Sequence, residues 1–287
     1  RDYAVGAVSG VLASTVAVFC AHPIESIKVR MQSGQIGGAP VDTGWQRLRG
    51  LLRKPYYGIG PHMFWYGAMN SIRFGSFLAA KAFFERRRGV AEPLPLHEVF
   101  QSGAFSGSCM AMFLHPLWVV KTHQQINRVG FAEACHRLWV GEGMPGFFRG
   151  YASAFVRFPL ALGVFFASYE ALKRPLLADA GHSKSPRAPT ATEWLGRAGS
   201  GALAGILCWT VIYPLDTAQS RVMGEATYGR DRVYRGALAA FREIYRTEGL
   251  RGFTRGYSAV LVRSGPVNAV LLPVQDAIQP FVERLLT

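Results

Sequence analysis

Two arginines stand inside apolar runs where a formal charge has no ordinary place. Arg157 lies in the run Ala152 to Leu172 and Arg263 in the run Tyr257 to Val274, 106 positions apart. Each follows by six residues the end of a related block, EGMPGFFRGY from Glu142 to Tyr151 and EGLRGFTRGY from Glu248 to Tyr257. A guanidinium in a span long enough to cross a bilayer is expensive, so such a residue faces a cavity and is a functional candidate. Its planar fork fits a carboxylate or a phosphate. Snorkelling or a structural ion pair is the alternative reading, and it stays open at this point.

A second set of charges sits at the ends of other apolar runs. The uncharged run Ala4 to Ala21 is followed at once by HPIESIKVRMQ, His22 to Gln32, which brings a proline, an acid and two bases. The pattern returns as HPLWVVK from His115 to Lys121 and as YPLDTAQSR from Tyr213 to Arg221. Proline inside a helix costs about 3 kcal/mol, so Pro23, Pro116 and Pro214 at matching places require a reason. No nucleophile, base and orienting group fall at a recognisable spacing, which argues against an enzyme. Cys20, Cys109, Cys135 and Cys208 show no CxxC or metal-ligand spacing and read as buried free thiols, so no cofactor or metal is expected.

The elements that must position these residues come in threes. Two motifs repeating in the same order divide the 287 residues into units of roughly 95, taken as 1–93, 94–190 and 191–287. Each unit holds two apolar segments of about 20 residues, enough to span a bilayer. They run Ala4–Ala21 and Pro61–Ala80, Val99–Val120 and Ala152–Leu172, then Ala198–Leu215 and Tyr257–Val274. Between them lie short amphipathic stretches, Trp45–Leu52, Ala132–Val140 and Ala237–Tyr245, that suit a membrane surface. Small-residue pairs recur at a common distance before each proline: Gly10 with Ser14, Gly103 with Gly107, Gly201 with Gly205. Close backbone approach at such pairs supplies packing energy where lipid gives no hydrophobic drive.

Composition agrees with a membrane bundle. The chain is 49% hydrophobic and carries 32 Lys and Arg against 18 Asp and Glu, a formal charge of +14. That excess suits nucleic acid or an anionic membrane surface. The bases are scattered through loops between apolar runs and do not line one face, so no nucleic-acid partner is expected. No cleavable signal segment is read in the chain.

With prolines, acids and bases at this spacing in triplicate, the chain resembles the mitochondrial carrier family over nearly its whole length. The family pattern is P-x-[DE]-x-x-[KR]-x-[KR]. The first unit matches it with Pro23, Glu25, Lys28 and Arg30; the second has Trp118 for the acid and keeps Lys121; the third keeps Asp216 and has Gln219 for the first base. The resemblance implies an all-α membrane protein of six transmembrane helices in three tandem repeats, with pseudo-threefold symmetry around a central cavity and short surface helices. The prolines would kink the odd helices inward. A matrix gate would then pair Glu25 with Lys121 and Lys28 with Asp216, leaving Trp118 facing Gln219.

The same family implies a cytoplasmic gate nineteen residues beyond each of Gly58, Gly150 and Gly256. Its neighbour rule pairs Asp276 with Lys81 and Glu170 with Gln279, and Leu78 leaves Lys173 without its partner. Trp65, Arg157 and Arg263 match the family's substrate contacts, and Arg73 adds positive charge nearer the other mouth, level with Phe165. The stretch RSGPVNA from Arg263 to Ala269 is similar to carnitine and basic amino-acid carriers. Phe158, however, stands where that subgroup would carry an acid for an amino group. Carboxylate binding is therefore expected, and an amino group on the substrate is not.

The three glycines, with Arg149 and Arg255, are expected to bind cardiolipin at helix N-termini. The function implied is alternating-access antiport of a small carboxylate-bearing metabolite, anionic or zwitterionic, across the mitochondrial inner membrane, with both termini on the intermembrane-space side. The second reading is a non-transporting structural subunit of a larger inner-membrane complex. The absent charges at Trp118, Gln219, Leu78, Gln275 and Gln279 favour that second reading, and the cavity arginines oppose it.

Overall fold

The computed structural model describes residues 2–32, 59–89, 93–127, 129–178, 191–224, 236–254 and 257–285. Among these residues six long helices carry the fold: α1 (Asp2–Gln32), α2 (Ile59–Arg88), α3 (Leu96–Asn127), α5 (Tyr151–Ala178), α6 (Ala191–Gly224) and α9 (Tyr257–Leu285). Between them come α4 (Phe131–Glu142), a 3-10 turn (Met144–Phe148), α7 (Ala237–Glu248) and the five-residue α8 (Leu250–Thr254). No strand occurs among the described residues. The long helices have 28 to 34 residues, about 42 to 51 Å at 1.5 Å per residue, which exceeds a hydrocarbon core of about 30 Å.

Four of the six long helices are apolar enough by composition to cross a membrane, through Asp2–Phe19, Leu96–Gln124, Met144–Pro175 and Ala191–Met223. The segments expected at Pro61–Ala80 and Tyr257–Val274 do form helices of full length, α2 and α9, but fall outside that group. The physical reason is polar content: within those segments α2 carries His62, Asn70 and Arg73, and α9 carries Arg263 and Asn268. The prolines do not end helices either. Pro116 and Pro214 lie within α3 and α6, which run on for a further 11 and 10 residues.

Each long helix packs on its neighbours in sequence and α9 closes on α1, so the six form a ring. Within each repeat the contact is made where the sequence places small residues. A methyl at Gly10, Gly103 or Gly201 would come within 3.0 Å of the backbone oxygen of Asn70, Leu162 or Asn268. Those three partners sit at equivalent places in the three repeats, so the same backbone-to-backbone approach recurs three times. Ser9, Ser102 and Ser200 are buried at equivalent positions, and each hydroxyl donates to the carbonyl four residues back at 2.7 to 2.9 Å. Gln275 of α9 donates to the Ser9 hydroxyl at 2.7 Å, which joins the last helix to the first.

The surface helices form over the expected stretches Ala132–Val140 and Ala237–Tyr245 and extend slightly beyond them. Leu138 and Ile244 are fully buried while Trp139, Leu238 and Tyr245 are exposed. The repeated Glu-Gly pair stops both helices. Gly143 and Gly249 take φ of 65° and 64° and return their N–H groups to Trp139 and Tyr245 at 2.8 and 3.1 Å, a conformation glycine adopts without a Cβ penalty.

Candidate functional site

A cavity of about 310 Å³ opens at the centre of the ring, lined from α2, α3, α5, α6 and α9. Three cations reach its wall, Arg73, Lys121 and Arg157, and no Asp or Glu lines it among the described residues. Arg157 is 3% exposed. Its Nε donates to Gln219 Oε1 at 2.6 Å and its Nη1 to Asp216 Oδ1 at 2.8 Å, leaving a buried Nη2 with no partner. Arg73 makes neither an ion pair nor a hydrogen bond among the described residues; its guanidinium lies 4.2 Å from the Phe165 ring centroid and its Nε is buried without a partner. Both arginines thus rest on aromatic faces, since the Arg157 guanidinium lies 4.1 Å from Phe158.

The sequence expected Trp118 to face Gln219 and Asp216 to pair with Lys28. The structure corrects the first pair and gives Asp216 another partner. Gln219 and Asp216 both accept from Arg157, while Trp118 packs edge-on against Phe158 with ring centroids 5.7 Å apart. The reason is reach: with no base at position 219, Arg157 is, among the described residues, the cation that the Asp216 carboxylate and the Gln219 carbonyl share. Lys121 lies 5.6 Å from the Trp118 ring. The side chains of Pro23, Glu25, Lys28, Trp65 and Arg263 lie outside the described residues, as do Gly58, Arg255, Gly256 and the stretch Trp45–Leu52.

Toward the end of the ring that carries the termini, Phe77 stacks on Phe166 at 3.8 Å and Phe74 meets Phe166 edge-on at 5.8 Å. The space left there is about 50 Å³. Beyond it, the expected pairings are replaced. Lys173 bridges Asp276 at 3.0 Å and Glu170 at 3.2 Å, and the Tyr169 hydroxyl donates to Asp276 at 2.8 Å. Lys81 pairs with Glu85 at 3.8 Å, and Gln279 donates to Glu283 at 2.8 Å. Leu78 does remove an acid, as the sequence indicates, but Lys173 answers by drawing in the acids on its own helix and on α9.

One lipid candidate is also corrected. Arg149 is 2% exposed and its Nε donates to Glu142 at 2.9 Å, so its guanidinium is inside the fold and cannot meet a headgroup. In the third repeat Glu248 pairs with Arg221 at 2.5 Å. The glutamate of the repeated block is therefore a structural anchor in both repeats, a role the sequence reading missed. Gly150, with φ of 70°, precedes α5 and its carbonyl accepts from Ala154 at 3.1 Å.

Several wall residues were also missed, among them Cys208, Trp209 and Ile212 on α6 and Ser264 and Asn268 on α9. A signal existed. Stepping back from Gln219 and Asp216 by three or four residues reaches Ile212, Trp209, Cys208 and Gly205, one face of a helix. Cys208 is buried, as expected, while Cys109 and Cys135 are only half-buried.

Comparison with known proteins agrees with this geometry. The family model described as mitochondrial carrier protein matches residues 2–88, 92–179 and 191–285. The chain is 28% identical over 281 residues to a mitochondrial basic amino acids transporter of Homo sapiens, covering 93% of this chain and 86% of that one. It is 28% identical over 290 residues to a glutamate/glycine mitochondrial carrier of Schizosaccharomyces pombe, covering 96% and 94%. A mitochondrial thiamine pyrophosphate carrier of Emericella nidulans is 27% identical over 293 residues, covering 92% and 88%. Three matched repeats, a closed ring of six long helices and a charged central cavity make one conclusion: the chain belongs to the mitochondrial carrier family.

Proposed function

We propose that the protein is a six-span carrier of the mitochondrial inner membrane that moves a small carboxylate-bearing metabolite by alternating access, with both termini on one side. The observation that carries this reading is the cavity wall, which Arg73, Lys121 and Arg157 line and to which no Asp or Glu among the described residues contributes. A pocket of this size suits a small metabolite, and a buried guanidinium whose Nη2 has no partner keeps a donor for a carboxylate. Amino acids, named for relatives in Homo sapiens and Schizosaccharomyces pombe, all carry a carboxylate. The wall offers no described acid to an ammonium group, which supports an anion over a cationic amino acid.

The test is uptake of labelled carboxylates into liposomes holding the purified chain, with Arg157→Ala as the variant. Substrate affinity should fall on the order of 30-fold or more, the loss expected when one charged partner is removed. Uptake unaffected by Arg157→Ala would refute the assignment. The degenerate charges at Trp118, Gln219 and Leu78 favour a second reading, a structural subunit that does not transport. It requires the chain to purify in a stoichiometric complex and to show no uptake alone.

A further inference from the structure

We infer that the cavity selects a short anion with an acid group at each end, a dicarboxylate, in preference to a monocarboxylate or an α-amino acid. This deepens the carrier reading and rests on it. The observation is a pair of arginines prepared in the same way at two depths of one cavity. Arg157 lies over Phe158 at 4.1 Å and Arg73 over Phe165 at 4.2 Å. The two rings belong to α5, seven residues apart, about 10 Å along the axis, and both arginines and both rings line the same space.

Stacking on a ring leaves the edges of a guanidinium open, and the edge is where a carboxylate binds. Each arginine keeps a buried nitrogen without a partner, Nη2 on Arg157 and Nε on Arg73. Arg157 is partly neutralised by Asp216 at 2.8 Å, but Arg73 has no acid or carbonyl on its guanidinium among the described residues. A monocarboxylate can satisfy one of these sites and leaves the other unmet. A dicarboxylate whose ends lie a few ångströms apart can satisfy both, with Met69, Met110, Trp209 and Leu271 around its middle. An α-amino acid would bring an ammonium group to a wall that carries three cations and no described acid.

The experiment is a thermal-shift titration of the purified full chain in detergent with succinate and glutarate, against butyrate, valerate and arginine at matched ionic strength. The dicarboxylates should bind tenfold or more tightly than the monocarboxylates, since a charged hydrogen-bonded group contributes on the order of one to two decades of affinity. In Arg73→Gln that ratio should fall to near one. Arg73→Lys, which keeps the charge without the fork, serves if the glutamine variant does not fold, and should give an intermediate ratio. Equal affinity of succinate and butyrate for the native chain would overturn the inference and leave the carboxylate reading standing. A dicarboxylate preference that survives in Arg73→Gln would make Arg73 a packing residue, and would overturn it too. If no carboxylate shifts the melt, the carrier reading for carboxylates fails and the inference with it.

Discussion

At the scale of single residues, Arg157 joins what the family pattern keeps apart, the cavity wall and the proline-end charges. Its guanidinium holds Asp216 and Gln219 of α6 and keeps a buried Nη2 without a partner, while the residue itself lines the cavity. Asp216→Asn would leave the cation buried without its counter-charge, at a cost of about 2 to 4 kcal/mol that thermal unfolding should register. Gln219→Lys would restore the family's base, yet place a second cation where Arg157 already sits. The melting temperature should therefore drop by several degrees, and adding Trp118→Asp should recover most of it. Additive losses in the double variant would show that the two sites do not interact. Arg73, Lys121, Trp118 and Arg157, all of which line the cavity, stood out in the sequence as charges and an out-of-pattern tryptophan in apolar runs. The hold of Arg157 on Asp216 and Gln219 was not legible, because a side chain chooses among partners on neighbouring helices by reach, and sequence carries no distance.

At the scale of elements, the glycine register explains why six long helices can stand so close. A Cβ at Gly107 would meet backbone atoms of Phe158 and Pro159 at under 3.0 Å, whereas one at Gly199 would meet nothing within 4 Å. Both are helix positions, so propensity alone favours alanine at each by up to about 1 kcal/mol. Gly107→Ala should nonetheless destabilise by roughly 1 to 3 kcal/mol, because α3 and α5 must separate. Gly199→Ala should be neutral or mildly stabilising. The comparison of the two melts checks whether close approach or flexibility keeps glycine in these helices. This stripe was readable before any coordinates, since the three pairs keep one distance to the three prolines. The extent of α1, α3 and α6 was not, because the apolar run stops at the proline and the hydrogen-bonded helix does not.

At the scale of the whole molecule, the ionic link at the terminal end of the ring runs between α5 and α9, where the sequence put it between Lys81 of α2 and Asp276 of α9 and gave α5 only a hydrogen bond between Glu170 and Gln279. Lys173 is the node: it holds Asp276 and Glu170 at 18% side-chain exposure, with Tyr169 on the same carboxylate of Asp276. Lys81, expected to close this end, has its ion pair with Glu85 on its own helix at 3.8 Å, with side-chain exposures of 32% and 49%. Partly exposed pairs of that kind contribute about 0.5 kcal/mol or less. Losing Lys173 leaves Asp276 with the Tyr169 hydroxyl and without its cation, and leaves Glu170 paired with Arg174, a cost of about 2 to 4 kcal/mol in this partly buried network. An alternating-access carrier translates such a loss into a changed population of open states. In Lys173→Met the terminal end should open more often, read as faster alkylation of a cysteine introduced at Phe77 beneath the network. The same cysteine in Lys81→Met should react at close to the native rate. Should Lys81→Met prove the more reactive of the two, the closing link runs between α2 and α9 as the family rule has it, and the Lys173 node is not what holds this end shut.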